Sequence, residues 1–275
     1  MKLFNKIAIV GVGLIGGSIG LAVKNKKLAI KVIGIGHHQK SITQALKVKA
    51  IDEGFLDINK VKGADLIILA TPPQAIIDIF PKLSKLIGEK AIVIDVGSTK
   101  EKILEAASKA GINFIGCHPL AGLEKKGPEN ASANIFDGSI CLLAPLKKTP
   151  NEAVKKIRIL WKTLGAKTKV IDARSHDKIL AFVSHLPHAV VFSLMDCIDK
   201  DDLKFASTGL KDTSRIASSD PAIWRDIFLT NKKELLLAIN KFKKSISRIE
   251  FLVKKGRSKG LALFIEKSRN KRNAF

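Results

Sequence analysis

A glycine-rich turn near the start of the sequence is the first group of residues that predicts chemistry. Glycines occupy the first, third and sixth positions of Gly11-Val12-Gly13-Leu14-Ile15-Gly16, after an apolar run at 6–10 that is typical of a buried strand. Gly11 permits a tight turn, Gly13 lets a pyrophosphate approach the backbone, and Gly16 lets the following helix pack closely. Free N–H groups at the start of that helix would bind the phosphates. We therefore predict a dinucleotide site at Gly11, Gly13, Leu14, Ile15 and Gly16, rather than an ordinary loop.

The residues after the second predicted strand bear on which dinucleotide binds. An NAD site usually has an acid here, bound to the ribose hydroxyls, but residues 36–40 contain none. Gly36, followed by His37, His38 and later Lys40, is more compatible with the 2′-phosphate of NADP. An exposed loop without a specific role explains the same residues equally well. The sequence thus does not decide between NAD and NADP as the cofactor, and it favours NADP or the use of both.

Two further apolar runs, at 64–70 and 91–96, predict buried strands that lead into polar or proline-rich segments. The first ends at Thr71-Pro72 and the second at Gly97, followed by Ser98-Thr99. The carboxyl ends of parallel strands meet at one edge of a sheet, where ligands bind. We therefore expect these residues beside the dinucleotide, where a nicotinamide and its substrate would meet. As an alternative, Ser98 and Thr99 cap the helix predicted over 100–109.

A histidine, His118, follows the next predicted strand at 113–116 and precedes a loop rich in proline and glycine. This position is unusual for a side chain that only fills the core, and we predict a functional role. The last strands of the sheet are predicted at 140–144 and 168–171, separated by a helix at 152–164.

From about Asp172 the strand-like runs disappear and helical periodicity continues to the end of the sequence. We predict a Rossmann-type NAD(P)-binding α/β domain over 1–172 and an all-α helical substrate and dimerisation domain over 173–275. Apolar stripes at 181–194 and 235–251 are interpreted mainly as core, with a subunit interface as the alternative.

Composition excludes several classes of protein. The formal net charge is +23, but Lys and Arg are spread through all segments and no aromatic residues are interleaved with them, which disfavours nucleic-acid binding. No signal peptide and no membrane-spanning run is recognised, so a soluble cytoplasmic protein is expected. The three cysteines lie far apart without metal-ligand spacing, and we predict reduced thiols and no metal site.

Five further segments together carry a resemblance to a known family: Asp95-Val96-Gly97-Ser98-Thr99-Lys100, His118-Pro119-Leu120-Ala121-Gly122, Ser184-His185-Leu186-Pro187-His188-Ala189, Lys211-Asp212-Thr213-Ser214-Arg215-Ile216-Ala217 and Asp220-Pro221-Ala222-Ile223-Trp224-Arg225-Asp226. With the glycine turn, they make nearly the whole chain resemble the prephenate dehydrogenase family of tyrosine biosynthesis. The resemblance implies a homodimer that converts prephenate to 4-hydroxyphenylpyruvate by oxidative decarboxylation, with hydride transfer to NAD or NADP. Arogenate, which would give tyrosine directly, is the alternative small-molecule substrate.

The same resemblance implies roles for individual residues. His118 would be the base that accepts the proton of the substrate's ring hydroxyl, because neutral imidazole suits this at cellular pH. Ser98 would orient that hydroxyl or the imidazole. Arg215 would bind a substrate carboxylate, since its planar fork matches one bidentately. His188 would contact the substrate, and Glu124 would lie at the pocket entrance.

Two readings compete with this one. A different two-domain dehydrogenase, acting on β-hydroxyacids or imines, would share the glycine turn but depend on a catalytic lysine. A basic binding protein that keeps the dinucleotide fold as a scaffold would bind nucleic acid with a steep dependence on salt.

Overall fold

The sheet of this protein is the frame on which the predicted site residues are placed. The computed structural model describes residues 2–122 and 125–274. Within these ranges eight strands form one sheet, in the order β3-β2-β1-β4-β5-β6-β7-β8. The strands are β1 (Phe4–Val10), β2 (Ala29–Ile35), β3 (Glu53–Phe55), β4 (Leu66–Leu69), β5 (Ile92–Asp95), β6 (Phe114–Pro119), β7 (Ile140–Pro145) and β8 (Lys167–Val170).

The helices fall into two groups along the chain. Five alternate with the strands: α1 (Leu14–Asn25), α2 (Gln39–Lys47), α3 (Pro73–Leu83), α4 (Glu101–Lys109) and α5 (Asn151–Thr163). After the last strand the elements in the described residues are helices: α6 (Ala173–Leu180), α7 (Leu186–Asp196), α8 (Thr208–Ser214), α9 (Pro221–Thr230), α10 (Lys232–Lys254) and α11 (Ser258–Arg272). A π-helical turn, Ala181–His185, joins α6 to α7. The predicted fold class, a Rossmann-type α/β domain followed by helices, is confirmed.

The order of the strands indicates at which edge of the sheet a ligand would bind. β1 pairs in parallel with β2 on one side and with β4 on the other, so the chain changes direction across the sheet at this point. Ligands of open parallel sheets bind beyond the carboxyl ends of the strands at such a change. β5 and β6 continue the parallel arrangement, whereas β7 is antiparallel to β6. The ends of β1, β4, β5 and β6 therefore point to the same edge.

Successive residues of β1 face two different cores, as the alternation of side chains along a strand requires. Ile7 and Ile9 pack in one buried cluster, and Ala8 and Val10 pack in the cluster on the other face of the sheet. A strand that is buried on both faces needs a continuous apolar run, which is why the sequence predicts it well.

Two strands differ most from the predictions, whereas most of the other strand boundaries shift by one or two residues. β6 extends to Pro119, so His118 lies inside a strand and not in the loop that follows it. The short strand β3 was not predicted, because three residues that include Gly54 give too little pattern.

The chain divides into two compact units, residues 1–231 and 232–275. The domain boundary predicted at residue 172 stays a prediction. Many apolar residues of the two helical stripes are exposed, among them Val183 in the first and Leu236, Leu237 and Phe251 in the second. The interpretation of these stripes mainly as core is therefore wrong for the single chain.

One continuous helical segment, Ala173–Asp196, is long and apolar enough to cross a membrane, judged by length and composition alone within the described residues. A single segment of this kind is weak evidence for a membrane span. His176, Asp177 and His185 are buried in it, and Asp177 accepts hydrogen bonds from the backbone of residues beside the sheet. These buried polar contacts indicate a helix of a soluble fold.

Candidate active site

The glycine turn has the geometry that a pyrophosphate needs. Gly11 has a φ of 95°, and a Cβ on Gly16 would lie 1.9 Å from the Gly11 carbonyl oxygen, so neither position tolerates a side chain. A Cβ on Gly13 would meet nothing within 4 Å, which shows open space above this residue. Gly13 is the N-cap of α1 and makes no side-chain cap, so the first N–H groups of the helix are available to an anion. The turn therefore fits a dinucleotide.

A cleft of about 510 Å³ begins at this turn. Six of the predicted site residues line it: Gly13, Leu14 and Ile15 from the turn, Thr71 and Pro72 after β4, and Ser98 after β5. The loop after β6 and the segment around the start of α9 complete its walls, with Ala121, Gly122, Lys125, Lys126, Ser219, Asp220 and Trp224. The structure thus brings the phosphate-binding turn and Ser98 to one cavity.

A second cavity of about 470 Å³ lies where β1 and β2 end. Gly36 and His37 line it, as do Asp57, Asp78 and Lys82. The predicted cofactor residues therefore divide between two cavities at the same sheet edge, as a ligand with an adenosine end and a reactive end would require. Gly11 and Gly16 shape the turn itself and line neither cavity.

The loop that carries Ser98 is held by a buried lysine. The Lys100 ammonium group lies 2.6 Å from Asp95 Oδ2 and donates to the carbonyl oxygens of Gly97 at 2.8 Å and Thr99 at 2.9 Å. Lys100 and Asp95 are both fully buried. Burial raises the pKa of Asp95, while the charge of Lys100 and its hydrogen bond oppose this rise. The ammonium thus closes the loop on both sides of Ser98.

Helix α4 is capped from another part of the chain. Asp177 accepts hydrogen bonds from the N–H groups of Lys100 at 2.8 Å and Glu101 at 2.9 Å. Thr99 contacts the hydroxyl of Thr230 instead. The alternative that Ser98 or Thr99 caps this helix is therefore wrong, because the carboxylate of α6 occupies that position.

His118 is the first member of a hydrogen-bonded row. Its Nδ1 lies 2.9 Å from His176 Nε2, and His176 Nδ1 lies 2.8 Å from Asp177 Oδ1. His176 is fully buried, whereas His118 stays partly exposed. Burial lowers the pKa of His118 well below its ordinary value, and the positive charge of Lys100 lowers it further. His118 is therefore uncharged at cellular pH and able to accept a proton.

Two more histidines lie near the wall formed by Trp224. The His188 ring stacks on Trp224 with centroids 3.5 Å apart, and its Nδ1 donates to the Ser184 carbonyl oxygen at 2.9 Å. Burial lowers the pKa of His188. His185 is buried, its Nδ1 accepts from the Asn231 amide at 3.0 Å, and burial lowers its pKa to about 4. His188 thus lies against Trp224, which is part of the cleft wall.

Arg215 begins a short 3₁₀ helix, Arg215–Ser218, and is exposed. It is not among the residues that line the cleft, whose wall from this segment begins at Ser219. Glu124 lies outside the described residues. The roles predicted for these two residues stay predictions.

Sequence reasoning missed several residues at this edge. His176 and Lys100 were not assigned a role, although Lys100 ends the segment 95–100 that the sequence analysis singled out. Lys126 forms an ion pair with Asp220 across the cleft lining, and Asp220 also caps α9 through the Ile223 N–H. A lysine between Ser98-Thr99 and the helix, and a histidine beside an aspartate, were the available signals.

Comparisons with known proteins agree with this arrangement. A family model described as prephenate dehydrogenase, nucleotide-binding domain, matches residues 19–170, and one described as prephenate dehydrogenase, dimerization domain, matches residues 172–267. The prephenate dehydrogenase of Bacillus subtilis (strain 168) is 32% identical over 280 residues, which cover 98% of this chain and 76% of that protein.

Solved structures give the same result. The prephenate dehydrogenase from A. aeolicus in complex with hydroxyphenyl propionate and NAD+ has a TM-score of 0.93 at 34% identity and covers 98% of both chains. The Synechocystis arogenate dehydrogenase has a TM-score of 0.84 at 29% identity and covers 98% of this chain and 99% of that chain.

Proposed function

Because this chain belongs to the prephenate dehydrogenase family, we propose that it oxidises prephenate to 4-hydroxyphenylpyruvate with His118 as the base. The family makes it an NAD(P)-dependent oxidoreductase of tyrosine biosynthesis. One observation supports the role of His118 above the others. An uncharged imidazole lies at the carboxyl end of β6, at the same sheet edge as the glycine turn and Ser98.

The reaction requires a base at the ring hydroxyl of the substrate. When bound, the nicotinamide supplies the hydride acceptor. His118 accepts the hydroxyl proton while the C–O bond gains carbonyl character and the hydride leaves the same carbon. The ring carboxylate then leaves as carbon dioxide, and the electron pair of the broken C–C bond completes the aromatic ring. The ring oxygen then takes back the proton held on the His118 imidazole, which gives the phenol group of 4-hydroxyphenylpyruvate and restores the neutral base.

The other site residues bind and orient the substrate in this proposal. Ser98, held by the Lys100 loop, donates or accepts a hydrogen bond at the ring hydroxyl. His188 contacts the substrate beside the ring of Trp224. Arg215 pairs with a substrate carboxylate, and Glu124 lies at the entrance. Charge-assisted pairs between guanidinium and carboxylate give such a dianion both affinity and orientation.

NAD binding follows from the nucleotide-binding domain, and we further propose that NADP is accepted as well. Gly36 and His37 line the cavity at the end of β2, and residues 36–40 contain no acid that would repel a 2′-phosphate. The cofactor would contact Gly11, Gly13, Leu14, Ile15 and Gly16 through its pyrophosphate, and Thr71 and Pro72 near its nicotinamide end.

We propose that the exposed apolar residues of the C-terminal helices form the contact between two subunits of a homodimer. The family model for this region describes a dimerization domain. Val183, Phe205, Leu237 and Leu263 are exposed in the single chain, and such surface is usually covered in solution. We expect a soluble, cytoplasmic enzyme.

The test is turnover by the purified protein with each substrate and each cofactor. Prephenate and arogenate are each mixed with NAD+ and NADP+, and reduced nicotinamide is followed together with the aromatic product. The likeness to an arogenate dehydrogenase makes arogenate the second candidate substrate. Absence of turnover with all four pairs would refute the activity. Full activity of His118→Asn would refute the mechanism, because the amide cannot take the proton.

A further inference from the structure

We propose that His176 is a positioning residue that determines which nitrogen of His118 accepts the substrate's proton. His176 touches His118 through a single hydrogen bond of 2.9 Å, and Asp177 holds the opposite side of its ring at 2.8 Å. The inference rests on the proposed role of His118 as the base. It concerns the enzyme before any substrate binds, with the imidazoles of His118 and His176 both uncharged.

The direction of the hydrogen bonds follows from the last member of the row. Both oxygens of the Asp177 carboxylate accept backbone N–H groups, so His176 Nδ1 is the donor in its contact with Oδ1 and carries a hydrogen. A neutral His176 then has a lone pair on Nε2, and the Nδ1–H of His118 must donate to it. This leaves His118 Nε2 without a hydrogen. Of its two ring nitrogens, Nε2 is therefore the one that can act as the base.

His176 is held firmly enough to impose this choice. It is fully buried, and the Asp177 carboxylate is also tied to the N–H groups of Lys100 and Glu101. A negative group at the start of α4 is further stabilised by the helix dipole. The Asp177 carboxylate is therefore fixed in place.

Burial is the main reason that the neutral form of His176 is favoured. Burial lowers the pKa of His176, and the nearby Lys100 ammonium lowers it further, whereas Asp177 and Asp95 raise it. His185 is a further group that lowers the pKa of His118. With His176 neutral, the pattern of donors described above is the one that the geometry allows.

The same row acts when His118 becomes positively charged. The Nδ1–H of an imidazolium is a stronger donor than that of neutral imidazole, so its bond to His176 Nε2 strengthens as the proton arrives. Hydrogen bonds that strengthen as charge develops stabilise the transition state more than the ground state. Loss of the row should therefore lower kcat much more than it changes KM.

Two amide substitutions at one position separate the contacts. His176→Gln places its amide near the position of Nε2 and keeps an acceptor for His118. His176→Asn places its amide near the position of Nδ1, keeps the contact with Asp177 and does not reach His118. We expect kcat to fall about 100-fold in His176→Asn and less than about 10-fold in His176→Gln, with a small change of KM in both.

Heteronuclear NMR of the histidine rings, without substrate or cofactor, measures the tautomer directly. We expect neutral His118 to carry its hydrogen on Nδ1 in the wild type and in His176→Gln. In His176→Asn we expect a mixture in which Nε2 carries the hydrogen in part of the molecules. A purely structural role of His176 would leave the tautomer unchanged in all three proteins.

Asp172→Ala is the matched control, because it removes the N-terminal cap of the same helix without touching the row. It should lower the melting temperature and leave both kcat and the tautomer as in the wild type. The proposal is overturned if His118 keeps its tautomer in His176→Asn, or if His176→Gln loses as much kcat as His176→Asn. If the three proteins show the expected tautomers but the wild type turns over neither substrate, the proposed function fails, while the control of the His118 tautomer by His176 stands.

Discussion

Lys100→Met should be one of the most destabilising single substitutions in the sheet domain. The substitution removes three hydrogen bonds of the ammonium group and leaves the Asp95 carboxylate fully buried without its cation. The N–H groups of Gly97 and Cys117 still donate to this carboxylate, at 2.9 and 3.0 Å. Breaking a buried ion pair from one side typically costs about 3–5 kcal/mol. We expect a loss of stability in that range.

The second substitution Asp95→Asn, made in the Lys100→Met background, should restore most of this loss. The desolvated charge is then gone, while an amide oxygen remains to accept one of the two backbone N–H groups. The assay is the free energy of unfolding from urea titration at neutral pH for the wild type, both single variants and the double variant. Lys100→Arg is unsuitable as a control, because a guanidinium does not fit the fully buried volume of Lys100.

Acidic pH should reduce the cost of Lys100→Met. Burial already raises the pKa of Asp95, and loss of the ammonium would raise it more. A carboxyl with a folded pKa above its unfolded value binds protons more tightly when folded, so its penalty disappears as the pH falls through the folded pKa. The reasoning is refuted if Lys100→Met costs less than about 1 kcal/mol at neutral pH, or if the double variant is no more stable than the single variant.

Three further predictions concern the pH dependence and the cofactor site. Burial lowers the pKa of His185 to about 4 in the folded protein, below an unfolded value near 6.5, so the folded state should lose roughly 3 kcal/mol of stability as the pH falls from 6.5 to 4. Urea titrations between these pH values measure this loss, with His185→Asn for comparison. An equal pH dependence of stability in the two proteins would contradict the prediction. Gly36→Asp should shift the ratio of kcat/KM for NAD+ over NADP+ at least about 10-fold towards NAD+. Its Cβ would contact side-chain carbon atoms only, Ile42 Cδ1 at 3.1 Å, Ile42 Cγ1 at 3.3 Å and Val12 Cγ2 at 3.7 Å, so a small shift of Ile42 accommodates it. An unchanged ratio would show that residue 36 does not contact the ribose. Gly13→Ala should keep the melting temperature and weaken dinucleotide binding about 10-fold or more, because its Cβ enters the open space where the pyrophosphate would lie. Gly16→Ala should instead destabilise the fold, because its Cβ would lie 1.9 Å from the Gly11 carbonyl oxygen. Calorimetric titration with NAD+ measures the binding, and a thermal melt measures the stability.

The sequence predicted those parts of the fold that depend on local pattern. β1, β4 and β5 are buried on both faces and therefore appear as unbroken apolar runs, and the glycine turn has a spacing that few other structures need. The short edge strand β3 has no such pattern. The burial of the C-terminal stripes was misjudged because helical periodicity shows that one face of a helix is apolar, but not whether the same chain covers that face.

The candidate site was predicted in part for a similar reason. Ser98, Thr71 and the glycine turn follow strands, so topology alone brings them to one edge. Contacts between residues far apart in sequence carry no local signal. The bond between His118 and His176 joins residues 58 positions apart, and the cap of α4 by Asp177 joins residues 77 and 76 positions apart.

These distant contacts make one carboxylate responsible for two functions. Asp177 caps the helix that follows the Ser98 loop, and it also orients the imidazole that holds His118. The loop and the base therefore cannot be arranged independently, because a shift of α6 moves both. Since Lys100 bonds the same loop from inside while its own N–H donates to Asp177, the buried ion pair and the histidine row form one connected network. Substitutions at Lys100 and His176 should consequently be non-additive in kcat, whereas those at Lys100 and Asp172, whose side chains share no hydrogen-bond partner, should be additive in stability.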